Sequence, residues 1–260
     1  MSYRGREVWV YIIFEKQVEI KESRTVMGID INFNNITYTV LDFEGKLVTT
    51  GIIPFNGLRK ALSHKIISEK IQKKYHRKWR YVKSIREVIR RHGRRARNIL
   101  TDSCHYVSRK LVSIAKEYNA LIVLEDLNKL RARVNGSRKF NRKLGLWVHY
   151  RVQSYIYYKA LLEGLKVVYV NPRGTSKASP TGGKIVFINY RWVKLPNGHV
   201  VTRDIVALWN IALKGLNIST RNVGSRGLMD SPKAPDQMQT QEGMKGKLIQ
   251  VPKITKIPKR

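Results

Sequence analysis

The sequence predicts an α/β fold for a chain of 260 residues. Three features lead to this prediction. Alternating apolar residues near the N-terminus indicate several strands, a long basic region has helical spacing, and compact apolar strands then alternate with further helical segments. The length is sufficient for one sizeable hydrophobic core, or for one domain with an insertion.

The central strand is predicted at Thr25–Asp30, where the sequence is Thr-Val-Met-Gly-Ile-Asp. Its apolar residues fall on both faces, which is typical of a strand that is covered on both sides. Gly28 has no side chain, so a neighbouring element can pack close to the backbone there. Asp30 then lies at the end of the strand, where an isolated aspartate most often does no more than end the strand.

Alternation of apolar residues also predicts the neighbours of this strand. One earlier strand covers Glu7 to Phe14, and two later strands cover Ile36–Leu41 and Lys46–Ile53. The turn residues Asp42–Gly45 join the two later strands. Because the connections are short, the three strands from Thr25 onward are expected to form an antiparallel meander.

A basic region from residue 58 to residue 116 has apolar residues at helical spacing, and Gly93 is the predicted break between two helices. Residues 58–110 contain 18 Lys and Arg but only 3 acids, a net charge of +15. A charged helix face is most often simply solvated. Here the Glu residues that would balance the charge at i,i+4 are nearly absent, so the charge is uncompensated. The candidate nucleic-acid-binding residues are Lys73, Lys74, Arg77, Arg90, Arg91, Arg94 and Arg95.

Apolar patterns predict the remaining elements of the chain. In chain order they are a strand at Ala120–Leu124, a basic loop from Lys129 to Lys143, a helix from Leu144 to Leu162 stopped by Gly164, a strand at Lys166–Val170, and a helix from Asp204 to about Lys214. From residue 215 to residue 260 the sequence has no period, and we expect a disordered basic tail.

The formal net charge of +33 comes from 51 Lys and Arg against 18 Asp and Glu. This excess predicts a polyanionic partner, with nucleic acid favoured over an anionic membrane surface. No apolar stretch is long enough to span a bilayer, and we expect no signal peptide because a small-residue cleavage site is missing. Cys104 is the only cysteine, which excludes an internal disulfide and a multi-cysteine metal site. We therefore expect a cytoplasmic protein without a membrane partner.

Three carboxylates stand in comparable settings. Asp30 and Glu125 each follow an apolar strand, and Asp204 lies in the first turn of a predicted helix. Asp204 shares a helix face with Ala207, Leu208 and Ile211, by i+3, i+4 and i+7 spacing. We therefore expect Asp204 to point toward the core rather than into water. The helix dipole alone would favour an aspartate at this position, but it would not require the apolar face.

Carboxylates that converge on a half-buried site repel one another strongly in a low dielectric. Divalent cations remove this repulsion, and hard oxygen ligands suit magnesium or manganese rather than zinc. Two such ions about 4 Å apart can activate water and stabilise the leaving oxygen in phosphodiester cleavage. The candidate catalytic and metal-binding residues are therefore Asp30, Glu125 and Asp204, with Mg²⁺ or Mn²⁺ as the expected cofactor.

The motifs around these carboxylates resemble the RuvC-type nuclease domain of the TnpB/OrfB insertion-sequence proteins, which are transposase-associated relatives of type V CRISPR effectors. Each motif is weak alone, but together they are specific to the family, and they span residues 24–214. In the family's order the matching pieces are Gly28-Ile29-Asp30 with Asn34-Asn35, Val123-Leu124-Glu125-Asp126-Leu127, Asn171-Pro172-Arg173-Gly174-Thr175-Ser176, and Arg203-Asp204 with Asn210-Ile211.

This resemblance implies an RNase H-like (RuvC-type) mixed sheet, with residues 58–116 inserted before Glu125 as a basic helical hairpin. It also implies that Asp30, Glu125 and Asp204 form the catalytic set of a metal-dependent DNA endonuclease of transposition and DNA recombination. Full-length members of the family are RNA-guided DNA endonucleases. DNA is therefore the expected partner, and a guide-like RNA is a further one.

The sequence departs from the family's pattern in two places. Ser179–Gly182 and Leu195–Gly198 occupy the positions of the two Cys-x-x-Cys pairs of the usual zinc ribbon. No cysteine ligand remains, so residues 175–202 are a degenerate zinc-ribbon position and we expect no zinc. Residues 1–23 match only a remnant strand of the family's N-terminal wedge-like region. We therefore expect an activity impaired by truncation, without guided cleavage by this chain alone.

Three other interpretations are open. Actin-like sugar kinases and ATPases also begin with Gly-Ile-Asp, but glycine and small hydroxyl residues follow there, whereas Ile31-Asn32-Phe33 follows here. A catalytically inactive relative would keep the fold and bind nucleic acid without cutting it, although the presence of all three carboxylates argues against simple decay. A membrane-surface protein is the least favoured, because the basic residues are interleaved without a strong apolar stripe.

Overall fold

The computed structural model describes residues 2–4, 7–9, 12–126, 148–175, 179–180, 182–221 and 249–253. Three short strands come first, namely β1 (Ser2–Arg4), β2 (Glu7–Trp9) and β3 (Ile12–Lys16). A five-stranded sheet follows, made of β4 (Thr25–Ile31), β5 (Asn35–Leu41), β6 (Leu47–Pro54), β7 (Ala120–Glu125) and β8 (Val167–Val170).

The five-stranded sheet is mixed, with the strand order β6-β5-β4-β7-β8. Strands β4, β5 and β6 pair antiparallel as a meander, whereas β7 lies parallel to β4 and β8 lies parallel to β7. The predicted α/β fold, the meander and the central position of the Asp30 strand are therefore confirmed. The long helical connection before β7 is what allows the parallel pairing.

Helices cover both faces of this sheet. They are α1 (Gly57–Tyr75), α2 (Lys83–Glu117), α3 (His149–Leu162) and α4 (Arg203–Arg221). Met27 and Ile29 of β4 belong to a core that includes residues of α1, α2 and α3, whereas Val26 belongs to a second core with residues of α4. The central strand is thus buried on both faces, as its apolar pattern predicts. No helix in the described ranges is long and apolar enough to cross a bilayer.

The basic hairpin has its break at a different place from the predicted one. Helix α2 runs through Gly93 without interruption for 35 residues, and the break is a 3₁₀ turn at His76–Arg80. A single glycine costs a helix only about 1 kcal/mol, which a long helix tolerates. His76 has φ 42°, in the left-handed region, and this backbone conformation ends α1.

Two further predictions are wrong in part. The strand predicted over Glu7 to Phe14 consists of two pieces, β2 and β3, and β3 pairs antiparallel with a strand β12 (Ile249–Lys253). Helix α4 continues to Arg221 because Leu216 and Ile218 extend its apolar face. Residues 215–221 and 249–253 therefore have regular structure, although the sequence predicted disorder there. The loop predicted over residues 129–143 lies outside the described residues.

Residues 186–202, in the region predicted to be a degenerate zinc ribbon, carry a small three-stranded sheet. Its strands are β9 (Val186–Phe187), β10 (Trp192–Lys194) and β11 (Val200–Thr202), and the order is β11-β10-β9. Val193 and Leu195 are buried together with Val206 of α4. This apolar cluster therefore packs the small sheet against α4.

Gly28 is the point at which α4 lies closest to the central strand. A Cβ atom at this position would lie 2.7 Å from the carbonyl oxygen of Leu208 and 3.0 Å from the backbone nitrogen of Ala212. Both atoms belong to the backbone of α4, so they cannot yield by a side-chain rotation. The prediction that a neighbouring element packs against Gly28 is confirmed.

We predict that Gly28→Ala lowers the free energy of unfolding by about 1–3 kcal/mol, because the added methyl group overpacks the contact with α4. Gly93→Ala is the matched control. A Cβ atom at Gly93 meets nothing within 4 Å, so the helix propensity of alanine should stabilise α2 by roughly 0.5–1 kcal/mol. Urea unfolding of both variants measures the difference, and equal stabilities would contradict the close packing of α4.

Candidate functional site

One open pocket brings together the three carboxylates that the sequence singles out. It lies where the ends of two central strands meet the N-terminal turn of α4. The pocket is lined by Asp30, Glu125, Thr175, Tyr190, Arg203, Asp204, Ala207 and Ile211. These residues come from well-separated parts of the sequence, so the fold, rather than local chain geometry, gathers them.

The strand pleat explains why Asp30 and Glu125 face the same way. Side chains alternate between the two faces of a strand. Asp30 has the parity of Val26, and Glu125 has the parity of Val123, and both valines lie in the core on the α4 side. Strands β4 and β7 are parallel and Ile29 pairs with Leu124, so the two carboxylates follow at adjacent positions.

Asp204 reaches the same pocket from α4, where it lies in the first turn. Ala207 and Ile211 line the pocket with it, which confirms that the three residues share one helix face. The expectation that Asp204 points away from water is wrong, because its residue is exposed at the open side of the pocket. The positive end of the helix dipole stabilises a carboxylate at this position.

Burial and mutual repulsion make Asp30 and Glu125 harder to ionise. Burial raises the pKa of Asp30, and the negative charge of Asp204 raises it further, against a hydrogen bond that Asn32 Nδ2 donates to Asp30 Oδ2 at 2.9 Å. Burial also raises the pKa of Glu125, with a further contribution from Asp30. The hydroxyl of Thr175 opposes this increase by donating to Glu125 Oε1 at 2.8 Å. The pocket therefore concentrates negative charge that the fold alone does not neutralise.

The donor set of the pocket suits a hard cation, because it consists of carboxylate oxygens. Across the described residues, no three His, Cys, Asp or Glu side chains stand close enough together to hold one metal ion. The carboxylates therefore line the pocket without meeting at a single point. Asp204 is exposed, whereas Asp30 and Glu125 are half-buried.

The seven candidate nucleic-acid-binding residues do not belong to this pocket. They lie on the basic hairpin, in the last turn of α1, in the 3₁₀ turn and in the N-terminal half of α2. All of them are exposed, namely Lys73, Lys74, Arg77, Arg90, Arg91, Arg94 and Arg95. Their side chains are therefore accessible to a polyanion in solution.

Sequence reasoning missed three residues that line the pocket. Thr175 and Arg203 belong to motifs that the resemblance uses, and this was a signal that they act near the carboxylates. Tyr190 carried no signal, because it lies between two very short strands in a stretch without periodicity. It is 87% exposed and still lines the pocket.

Solved structures of Cas12f complexes have a similar fold. A cryo-EM structure of the Cas12f1–sgRNA–target DNA complex matches with a TM-score of 0.55 at 16% identity, over 75% of this chain and 51% of that chain. A CRISPR–Cas12f ternary complex matches with a TM-score of 0.54 at 15% identity, over 76% of this chain and 40% of that chain. A family model for the Cas12f1-like TNB domain matches residues 149–211. The fold is thus similar to that of Cas12f proteins.

Similar sequences define the family. A TnpB-like protein of Methanocaldococcus jannaschii is 37% identical over 228 residues, which are 85% of this chain and 80% of that protein. A TnpB-like protein of Aquifex aeolicus is 26% identical over 80% of this chain and 74% of its own length. The CRISPR-associated endodeoxyribonuclease Cas12f2 of a Micrarchaeota archaeon is 29% identical over 68% of this chain, but only 32% of that protein is covered. The chain belongs to the TnpB-like family, as its motifs predict.

We predict that Asp30→Asn raises the melting temperature at neutral pH. Burial raises the pKa of Asp30 in the folded protein, so the unfolded chain releases this proton at a lower pH. The penalty for an ionised Asp30 is complete above the raised pKa, and it disappears as the pH falls to the ordinary value for an aspartate. The gain from asparagine should therefore be largest near neutral pH and shrink toward acid pH.

Thermal unfolding of both proteins over a series of pH values measures this gain. Asp102→Asn is the matched control, because it removes the same charge at an exposed position of α2. If the two substitutions shift the melting temperature alike, the effect comes from net charge and not from the pocket.

Proposed function

We propose that this chain is a divalent-metal-dependent DNA endonuclease of the RuvC type, with Asp30, Glu125 and Asp204 as its catalytic site. One observation carries the proposal: three carboxylates from two strands and a helix line a single pocket. Gathering like charges in this way is unfavourable unless a cation joins them. The meander β4–β6, followed by two parallel strands, supports an RNase H-like sheet.

Each part of the pocket has a role in this chemistry. Bound Mg²⁺ or Mn²⁺ would activate a water molecule and stabilise the leaving oxygen of a phosphodiester. Asp30 and Glu125 offer half-buried carboxylates from the strand ends, and Asp204 offers its exposed carboxylate from α4. Arg203 lines the same pocket and carries a guanidinium suited to a phosphate.

Relatives support DNA as the substrate and a guide-like RNA as a partner. Cas12f2 is a CRISPR-associated endodeoxyribonuclease, and the similar Cas12f1 structure contains sgRNA and target DNA. In this chain the exposed ring of Tyr190 at the pocket offers a face on which a base can stack. The family relationship supports a role in transposition and DNA recombination.

The basic hairpin holds the nucleic-acid backbone in this proposal. Its exposed Lys and Arg residues attract phosphates irrespective of base sequence, and each neutralised phosphate releases counterions. We also propose that the fold holds no structural zinc. Val193, Leu195 and Val206 form an apolar core in this region, and Leu195 begins the segment that replaces the second Cys-x-x-Cys pair.

We predict that Asp30→Ala, Glu125→Ala and Asp204→Ala each reduce Mg²⁺- or Mn²⁺-dependent cleavage of DNA to the uncatalysed background, because each removes a ligand of the reacting centre. DNA binding should persist, since the basic hairpin is untouched. Labelled single-stranded DNA incubated with Mn²⁺ provides the assay.

Glu44→Ala is the control, because it removes an exposed carboxylate outside the pocket. Cleavage that survives all three substitutions would refute the assigned site, and an intact protein that never cleaves would favour the inactive relative.

We predict that replacing Arg90, Arg91, Arg94 and Arg95 by glutamine weakens binding to all DNA sequences alike. The slope of log affinity against log salt should fall by roughly 0.7–0.9 for each phosphate that the variant no longer neutralises. Fluorescence anisotropy at several salt concentrations measures the slope. Replacing Arg109 and Lys110, which are exposed elsewhere on α2, controls for net charge. An unchanged slope in the four-arginine variant would identify this face as merely solvated.

A further inference from the structure

Neighbouring side chains hold Glu125 at both its backbone and its carboxylate. Gln153 Nε2 donates a hydrogen bond to the Glu125 backbone carbonyl at 2.7 Å, and the Thr175 hydroxyl donates to Glu125 Oε1 at 2.8 Å. Gln153 and Thr175 are both 5% exposed, so water competes little for these bonds. The direction in which the carboxylate points therefore depends on where Thr175 stands.

The Thr175 hydroxyl has one proton and two acceptors within reach. Glu125 Oε1 is one acceptor, and the carbonyl oxygen of Pro172 lies 2.9 Å from the same hydroxyl oxygen. A hydrogen bond to an ionised carboxylate is stronger than a hydrogen bond to a neutral carbonyl. The proton is therefore directed at Glu125, and the contact with Pro172 limits rotation of the hydroxyl.

Helix α4 holds the loop that carries Thr175. Asn210 Nδ2 donates to the Thr175 carbonyl at 2.7 Å, and Asn210 is buried. One turn further along α4, Lys214 Nζ donates to the carbonyls of Asn171 at 2.9 Å and Arg173 at 2.7 Å. Three carbonyl groups of one short loop are thus bonded to side chains of a single helix. The loop cannot shift without breaking these bonds.

The same helix carries Asp204 in its first turn. Helix α4 therefore supplies one carboxylate of the pocket and, through two hydrogen bonds, orients another. We propose that Thr175 is a positioning residue for Glu125, and that Asn210 fixes Thr175 so that α4 couples the placement of Asp204 to that of Glu125. This inference rests on the proposed function, because it takes both carboxylates as parts of one catalytic site.

Thr175→Val tests the proposal, because it removes the hydroxyl and keeps the shape of the side chain. Mn²⁺ binding, followed by the electron paramagnetic resonance signal of the free ion, should weaken roughly 10- to 100-fold, with a similar loss of DNA cleavage. Thr175→Ser keeps the hydroxyl and should stay close to the wild-type protein in both measurements. Thr25→Val removes the hydroxyl of a half-buried threonine at the opposite end of β4 from Asp30, where it donates to the Tyr118 carbonyl at 2.8 Å, and should leave both unchanged.

A double-mutant cycle tests the link to α4. Asn210→Ala should weaken Mn²⁺ binding by a similar factor, because Thr175 then loses its support. The double variant with Thr175→Val should be no weaker than Thr175→Val alone, since both changes act on Glu125 through one contact. Losses that multiply would overturn the coupling. If melting curves show that Thr175→Val is poorly folded, Asn210→Ala and Thr175→Ser still test the positioning role of Thr175.

The outcomes separate this inference from the proposed function. Wild-type Mn²⁺ binding and cleavage in Thr175→Val, with Glu125→Ala inactive, would overturn the positioning role alone. Equal losses in Thr175→Val and Thr175→Ser would also overturn it, because the hydroxyl would not be what matters. Wild-type Mn²⁺ binding and cleavage in Glu125→Ala would overturn both the inference and the catalytic assignment.

Discussion

The contact between helix α4 and the central strand at Gly28 is the constraint on which the site depends. The helix backbone lies so close to the strand that any side chain at Gly28 would displace it. A second glycine, Gly215, has the same function on the helix, because a Cβ atom there would overlap the side chain of Val123 on β7. These two glycines allow α4 to pack close to β4 and β7, the strands whose ends carry Asp30 and Glu125. The approach of α4, which carries Asp204, to these strands is therefore set by two positions that have no side chain.

The pocket is unfavourable for the folded state, and the hydrophobic layers around it offset this cost. Burial and mutual repulsion disfavour the ionised forms of Asp30 and Glu125, so both pKa values are raised. Apolar side chains fill both faces of the sheet beneath them, including the fully buried Met27 and Ile122. Natural proteins commonly trade stability for function in this way. The local conflict between charge and burial is therefore a sign that the pocket has a role beyond folding.

Sequence patterns predicted the strands of the central sheet and the helices that cover it, because the buried residues of these elements have a recognisable apolar pattern. Strands β4 and β7 are apolar on both faces, and their order and spacing are enough to find them and the carboxylates at their ends. Other features depend on three-dimensional context that no periodicity encodes. The break in the hairpin lies at His76 rather than Gly93, because one glycine hardly weakens a long helix. Whether Asp204 is exposed depends on how widely the pocket opens. The spacing of the apolar residues that follow Asp204 on its helix does not indicate this.

The small three-stranded sheet β9–β11 supports the part of the pocket wall that contains Tyr190. Here Val193 packs against Val206, two residues after Asp204, so the sheet is anchored on α4 itself. The backbone N–H of Arg203 also donates to the carbonyl of Arg191 at 2.9 Å, which ties the loop containing Tyr190 to the start of the helix. The apolar cluster and this hydrogen bond together keep Tyr190 and Arg203 beside the carboxylates. This wall of the pocket therefore depends on α4, the same helix that carries Asp204.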